Sequence, residues 1–352
     1  MVPSPAGRGL RTGPVVIIAA VVGVAAIAFA YTAGWLTPDR LTPKKLVASL
    51  APPGGPALGH RRNHAKGICF TGTFSANGEG AALSKAALFE KGQYPVVGRF
   101  NLATADANAK DGMVRVRGLG IQIIGPDGQQ WRSAMITAPF FPVATVQGFY
   151  DLQVASHSKD PGAMKGFIAK HPEFAAFAAW AGSAPWTGSY AEDRYNSLNS
   201  FVFEDASGAK HVARWSLVPE AQPVAVPAEE IAKRGPDFLE QEITQRVAAG
   251  PQSWKLVVTV ANPDDPTSDP SKAWPADRRT VEVGTLTAEK IEAEADGPCR
   301  DINYDPTVLP AGIATSDDPF PSARSAAYSR SFNSRTAEEK YYPRTASSGG
   351  AK

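Results

Sequence analysis

Trp254-Lys255-Leu256-Val257-Val258-Thr259-Val260 sets apolar side chains at every second position, with Lys255, Val257 and Thr259 between them. A period of two is the spacing of a strand with one face buried. Seven further runs carry strand character. Gly67–Phe74, Pro95–Phe100, Val114–Ile124 and Gln130–Ile136 make a first set of four; Leu198–Glu204, His211–Val218 and Thr280–Leu286 complete a second set with the opening stretch. Eight antiparallel strands close into a barrel, which leaves no exposed edge. Helices are expected between and after the strands, at Met164–Ala181 with Phe167, Phe174 and Phe177 at helical spacing, at Phe238–Ala249, and at Ser322–Glu339. The predicted class is α+β: one antiparallel eight-stranded barrel with surrounding helices.

The ends divide differently. Val15 to Leu36 carries no charge and is long enough, at about 1.5 Å per residue, to span a bilayer core of about 30 Å. Arg8 and Arg11 precede it, and Ala28-Phe29-Ala30 matches a small-x-small cleavage site. The segment reads as an anchor or a cleaved signal, with a buried core helix as the third alternative. Arg40, Lys44 and Lys45 follow the span, so flanking charge does not fix its orientation. Export is the simplest use of such a start. The expected division is a cytoplasmic N-terminus (1–14), a transmembrane anchor or signal segment (15–36), a proline- and glycine-rich linker or arm (37–56), the main domain (57–345) and a disordered tail (346–352).

Composition excludes several classes. The chain has 352 residues, 43% hydrophobic and 20% charged, with a formal net charge of +2. No basic block with interleaved aromatics marks a nucleic-acid surface. The 32 glycines and 30 prolines are spread without a repeat period. The two cysteines, Cys69 and Cys299, cannot build a structural zinc site; they are either a disulfide of an exported protein or two separate buried thiols. Gly118-Leu119-Gly120 reads as a strand glycine pair and not a phosphate loop, His157, His171 and His211 as surface or structural residues, and Glu229 and Glu230 as helix-surface charge. No Gly-x-Ser-x-Gly elbow is present.

Two places carry chemistry. His64, in Arg61-Arg62-Asn63-His64-Ala65-Lys66-Gly67, stands between a basic arm and the first strand, where an imidazole can shuttle protons near neutral pH. Arg324 and Tyr328 are four apart and share a helix face. A guanidinium against a phenol favours the phenolate, a hard anionic ligand suited to ferric iron. Arg335 follows about three turns after Arg324, on the same face. Taken singly, these residues read more simply as a structural histidine and a solvated basic helix.

Their order along the chain adds a resemblance. Asn63-His64-Ala65-Lys66-Gly67 resembles the distal histidine motif of haem catalases. Pro95-Val96-Val97-Gly98-Arg99-Phe100 and Arg117-Gly118-Leu119-Gly120-Ile121-Gln122-Ile123 resemble two of that family's strands. Asn303-Tyr304-Asp305-Pro306, Leu309-Pro310 and Gly312-Ile313 resemble the approach to its proximal helix, and Arg324-Ser325-Ala326-Ala327-Tyr328 matches its Arg-x-x-x-Tyr motif. The match runs from about residue 57 to 340, and the chain is most similar to the short bacterial catalase-related peroxidases, which lack the large C-terminal helical region of full-length catalases. The resemblance implies a haem cofactor, His64 as the acid–base residue, Tyr328 as the iron ligand and Arg324 as its charge partner. It implies that Arg61, Arg99 and Arg335 hold the haem propionates and that Phe149 lies on the distal side. The implied reaction is reduction of hydrogen peroxide or organic peroxides by a small organic donor, with a haem carrier or sensor without turnover as the alternative. The family carries a distal asparagine before Thr-Pro and a Phe-Phe pair. Here Ala134-Met135-Ile136-Thr137-Ala138-Pro139-Phe140-Phe141 has none, so weak dismutation of hydrogen peroxide is expected.

Overall fold

The computed structural model describes residues 12–345, apart from 34 and 38. Arg8 and Arg11, most of the expected cytoplasmic segment 1–14, and the tail 346–352 lie outside the described residues.

Ten strands are present: β1 (Gly67–Ala76), β2 (Gly92–Leu102), β3 (Arg117–Ile124), β4 (Gln130–Ile136), β5 (Tyr195–Asn196), β6 (Phe201–Glu204), β7 (Lys210–Pro219), β8 (Gln252–Val260), β9 (Thr280–Glu292) and β10 (Ile313–Thr315). Eight close a ring in the order β7–β5–β4–β3–β2–β1–β9–β8, with β8 pairing back onto β7 and every pair antiparallel. β6 and β10 extend the sheet beyond β7. The run 198–204, expected as a barrel strand, yields only β6, which lies outside the ring. β5 and β6 pair with different parts of β7, and the chain between them leaves the ladder at Leu198, whose φ is +59°. The short β5 supplies the eighth position of the ring.

Alternation on β8 matches its sequence: Trp254, Leu256 and Val258 are buried and Lys255 is exposed. Aromatic side chains fill the barrel. Phe100 stacks on Phe70 and Tyr190, with ring centroids 4.8 and 5.1 Å apart, and Trp131 meets Trp215 edge-on at 4.9 Å. Each such buried side chain contributes about 1.5–3 kcal/mol. A filled interior leaves room for a ligand only outside the ring. There, the outer face of β2–β4 carries Arg99 opposite Gly120 and Ala134, and Asn101 opposite Gly118 and Ile136. The inner face carries Phe100, Leu119 and Met135 in register. Glycine and alanine make the outer face shallow.

Eight helices surround the ring among the described residues: α1 (Thr12–Thr32), α2 (Pro43–Ser49), α3 (Val146–Ser156), α4 (Ala163–Lys170), α5 (Phe174–Ser183), α6 (Ala228–Lys233), α7 (Phe238–Ala249) and α8 (Phe320–Ala337). α1 is long and apolar enough to cross a membrane, and none of it is buried against the domain. The arm 37–56 is more ordered than a linker. Thr42 caps α2 by accepting from the Lys45 N–H, Pro43 takes the first turn, and Leu46, Val47 and Leu50 are buried. The single helix expected at 164–181 is two, α4 and α5, because Pro172 at their junction has no N–H to continue the ladder. Cys69 on β1 and Cys299 after β9 form a disulfide, so the pairing left open by sequence is made.

Candidate active site

A cavity of about 660 Å³ lies between the outer face of β2–β4 and helices α2, α3 and α8. Arg61, His64, Arg99, Phe149, Arg324, Tyr328 and Arg335 all line it, although they come from four separate stretches of chain. The rest of its wall is largely apolar, from Leu46, Val47 and Leu50 of α2 to Val146 and Leu152 of α3 and Phe332 of α8.

His64 is held from three directions. Its backbone is left-handed, with φ +55°, and its N–H donates to its neighbour Asn63 Oδ1 at 2.9 Å. Arg99 donates from Nη1 to the His64 carbonyl at 2.8 Å and from Nη2 to the Ala65 carbonyl at 3.2 Å. Asn101 meets the ring itself, with Oδ1 2.6 Å from Nδ1. Because Asn101 Nδ2 donates to the Arg99 carbonyl at 3.2 Å, its oxygen is the atom facing the imidazole. A carbonyl oxygen only accepts, so Nδ1 must carry the proton and Nε2 is left with a lone pair. Burial, with the Arg99, Arg324 and Arg61 charges behind it, outweighs the Asn101 hydrogen bond and pushes the His64 pKa down to about 4. At neutral pH the ring is a neutral base with a fixed tautomer. Gly118 is required here: a Cβ would fall 2.3 Å from Asn101 Oδ1 and 3.2 Å from His64 Nδ1.

Tyr328 enters from α8. Arg324, one turn earlier, donates from Nη2 to the phenol oxygen at 3.0 Å and to the Ala134 carbonyl at 2.9 Å, and from Nη1 to Asn199 Oδ1 at 2.6 Å. Asn199 Nδ2 in turn donates to Asp318 Oδ2 at 2.9 Å. Asp318 also accepts from the Phe320 N–H at 2.8 Å, which caps the first turn of α8. A relay Tyr328–Arg324–Asn199–Asp318 thus fixes the guanidinium against the phenol through groups that are themselves buried.

The third group is a cluster of cations. Glu294 takes a two-pronged contact from Arg99, Nε and Nη2 each at 2.7 Å, and lies 3.5 Å from Arg61. Both Arg99 and Glu294 are almost inaccessible. Arg61 and Arg335 converge on the carbonyls of the loop that carries Cys299: Arg61 reaches Cys299 and Ile302 at 3.0 Å, and Arg335 reaches Arg300 at 2.5 Å. One carboxylate faces three guanidinium groups. Burial and the neighbouring Arg61 charge push Arg335 down to about 9, and burial with the Arg99 charge also lowers Arg61. Glu294, raised by burial but lowered more by Arg99 and Arg61, stays below the ordinary carboxylate range. The excess of positive charge is a demand for anions at this end of the cavity.

The arrangement therefore fits a flat, apolar, dianionic group with a central electrophilic metal, as haem is: apolar walls, a phenol, a neutral imidazole and surplus guanidinium charge line one cavity. Arg61, Arg99 and Arg335, expected from sequence to hold the propionates, gather at one end of the cavity: the Arg99 fork is engaged by Glu294 and the His64 main chain, and Arg61 and Arg335 rest on main-chain carbonyls. Phe149 lines the cavity and packs on Phe141 at 5.4 Å. Of the two residues expected where an amide would stand, Ile136 is on the outer face and offers no hydrogen bond comparable to an amide, while Met135 packs into the barrel core. Sequence reading missed Asn101, Gly118, Glu294, Asn199 and Asp318. Only the proximity of Asn101 and Gly118 to recognisable strand motifs signalled them.

The family model described as Catalase matches residues 56–341. A "Catalase-related peroxidase" of Synechococcus elongatus is 34% identical over 91% of this chain and 94% of its own length. Another "Catalase-related peroxidase", of Mycolicibacterium paratuberculosis, is 31% identical over 85% of this chain and 96% of its own. Among solved structures, a fungal catalase superposes with a TM-score of 0.71 at 17% identity, covering 80% of this chain, which spans 60% of that one.

Proposed function

This chain belongs to the catalase family and is a peroxide-acting oxidoreductase of the catalase-related peroxidase kind, and from that premise we propose that it is a haem-dependent peroxidase that reduces hydrogen peroxide or organic peroxides with an organic electron donor. The observation that carries this reading is the meeting of Tyr328, with its Arg324 partner, and His64, with its Asn101 partner, in one apolar cavity. When bound, haem supplies the iron that receives the peroxide and carries oxidising equivalents to the donor. The Tyr328 oxygen is the metal ligand, and Arg324 keeps a charged donor against it. Arg61 and Arg335 hold the propionates. His64 Nε2, bare in its neutral state, takes the proton of the incoming peroxide and returns it to the oxygen that leaves. Ile136, on the outer face, gives a second hydrogen peroxide nothing to bind, so dismutation is weak and donor oxidation dominates.

Turnover is favoured over a carrier or sensor role by the His64–Asn101 contact, because fixing the tautomer of a base serves proton transfer and not cofactor storage. The buried disulfide and the apolar α1 together support a domain that works outside the cytoplasm, on a membrane anchor or after export. The optical spectrum tests the core of the proposal. The purified protein should show a Soret band, and Tyr328→Phe should lose haem or change the ferric charge-transfer region. An unchanged spectrum in that variant would remove Tyr328 as the ligand.

A further inference from the structure

The cavity carries more apolar surface at its approach than hydrogen peroxide requires. Met113 lines it and is 77% exposed. Phe177 lines it from α5, a helix without a single charged residue, and continues a row of ring contacts from Phe167 through Phe174 to Trp180 at 5.3, 5.9 and 5.5 Å. Ile168 on α4 and Val154 on α3 are 44% and 48% exposed. Exposed apolar side chains on the helices around a cavity are of the kind that contacts a partner or a membrane. Among them, Arg115 lines the cavity with its guanidinium 4.8 Å from the Trp180 ring and 4.7 Å from the Trp186 ring. That is a cation beside apolar rings, suited to an anionic headgroup.

The same cavity is tied to the N-terminal span. Its α2 wall, through Leu46, Val47 and Leu50, is joined to α1 by residues 33–42 only. Such a connection reaches roughly 35 Å at full extension. It is shortened here by Arg40, which donates to the Tyr31 carbonyl at 3.2 Å and lies over the Tyr31 ring. Tyr31 and Trp35 end the span as interfacial aromatics do. α3 is joined to α2 where His157 Nδ1 meets the Ser49 carbonyl at 3.0 Å, and α4 packs on α3. The helices that bear these side chains are thus leashed to α1, which is long and apolar enough to cross a bilayer.

We propose that this site takes hydroperoxides borne on lipid acyl chains, and that the α4–α5 face with Met113 docks on the surface of the bilayer holding α1. The proposal rests on the peroxidase reading above. The reaction is ROOH + 2 ArOH → ROH + H2O + 2 ArO•. The O–O bond breaks, the distal oxygen leaves as water with two protons, and a phenolic donor supplies two electrons in single steps.

The test uses the full chain in phosphatidylcholine vesicles containing phosphatidylcholine hydroperoxide, with a phenolic donor, and measures lipid alcohol formed. Cumene hydroperoxide in solution is run in parallel. Quenching of tryptophan fluorescence by brominated lipid reports docking without turnover. In a Trp35→Phe background, which removes the tryptophan at the end of the span, Ile168→Glu/Ala179→Glu should lower lipid turnover about tenfold or more and abolish the quenching. It should leave cumene hydroperoxide turnover within about twofold, since surface substitutions away from a site have small effects. Turnover of cumene hydroperoxide without turnover of the vesicle lipid would overturn the proposal and leave the peroxidase reading intact. Failure on both peroxides would remove the peroxidase reading, and this proposal with it. A dimer broken by the double variant, with lipid turnover unchanged, would give the face to a second copy and overturn the docking.

Discussion

At the scale of single residues, the site is a set of polar groups whose partners are far away in sequence. His64→Ala should keep its haem and slow peroxide cleavage by about 100- to 10,000-fold, as stopped-flow spectra would show. The pH dependence has a definite sign. Imidazole is a base only when neutral, and the His64 pKa is held down to about 4 by burial. The rate should therefore stay level from neutral pH toward mild acid and fall as pH drops through about 4. The Asn101 hydrogen bond acts upward on that pKa, so Asn101→Leu should move the acid limb to lower pH while also slowing the reaction through loss of the fixed tautomer. Arg324→Ala should weaken haem retention less than Tyr328→Phe, because the phenol oxygen remains. His64, Arg324 and Tyr328 were legible because each belongs to a short contiguous motif. Glu294 and Asn199 were not, since Arg99 and Glu294 are 195 residues apart and Arg324 and Asn199 are 125 apart. Pattern within one stretch carries no information about a partner so distant. The Glu294 partner of Arg99 was hidden for the same reason: its own strand shows a free arginine, and only the folded chain brings Glu294 to it.

At the scale of elements, period-two alternation located most barrel strands, because each strand buries one face against a filled interior. It missed β5, whose two residues are too few to show a period, and took β6, beyond the turn at Leu198, for a ring strand. It passed over α2, whose seven residues sit in a proline-rich arm too short to show a helical period. That omission bears on function, because α2 is a wall of the cavity. A chain starting at Thr37 should remain soluble and bind haem, since α1 contributes no strand and buries nothing. A chain starting at Ala51 lacks Leu46, Val47 and Leu50, each worth about 1.5–3 kcal/mol on burial, and should retain haem poorly. Haem content per chain after gel filtration distinguishes the two; equal content would show that α2 is a passive arm.

At the scale of the whole molecule, the cavity outside the ring has Tyr328 on one side and His64 on the other, and the Asn101 amide beside His64 is engaged by its ring. An oxygen electrode with hydrogen peroxide alone, run beside oxidation of a phenolic dye at matched protein concentration, should show little oxygen and substantial dye product. Vigorous oxygen release with negligible dye oxidation would mean that Ile136 does not decide the reaction. The disulfide adds a stability term. Cys69 and Cys299 are 230 residues apart, and closing a loop of that size lowers the entropy of the unfolded chain by about 5 kcal/mol in the loop-closure picture. Reduction should lower the melting temperature and loosen the loop that receives Arg61 and Arg335, with haem loss following. The pairing also has a meaning in time. A chain with just two cysteines has no wrong internal partner to choose, so no shuffling precedes the native bond. Cys69 emerges early and must wait, as a bare thiol, through most of synthesis until the segment around Cys299 arrives and β9 lies down beside β1. The oxidised pair is thus a record of completion: a thiol-labelling trace taken during biogenesis would read out, molecule by molecule, the moment at which the last strand of the ring has been laid and the cavity has its floor.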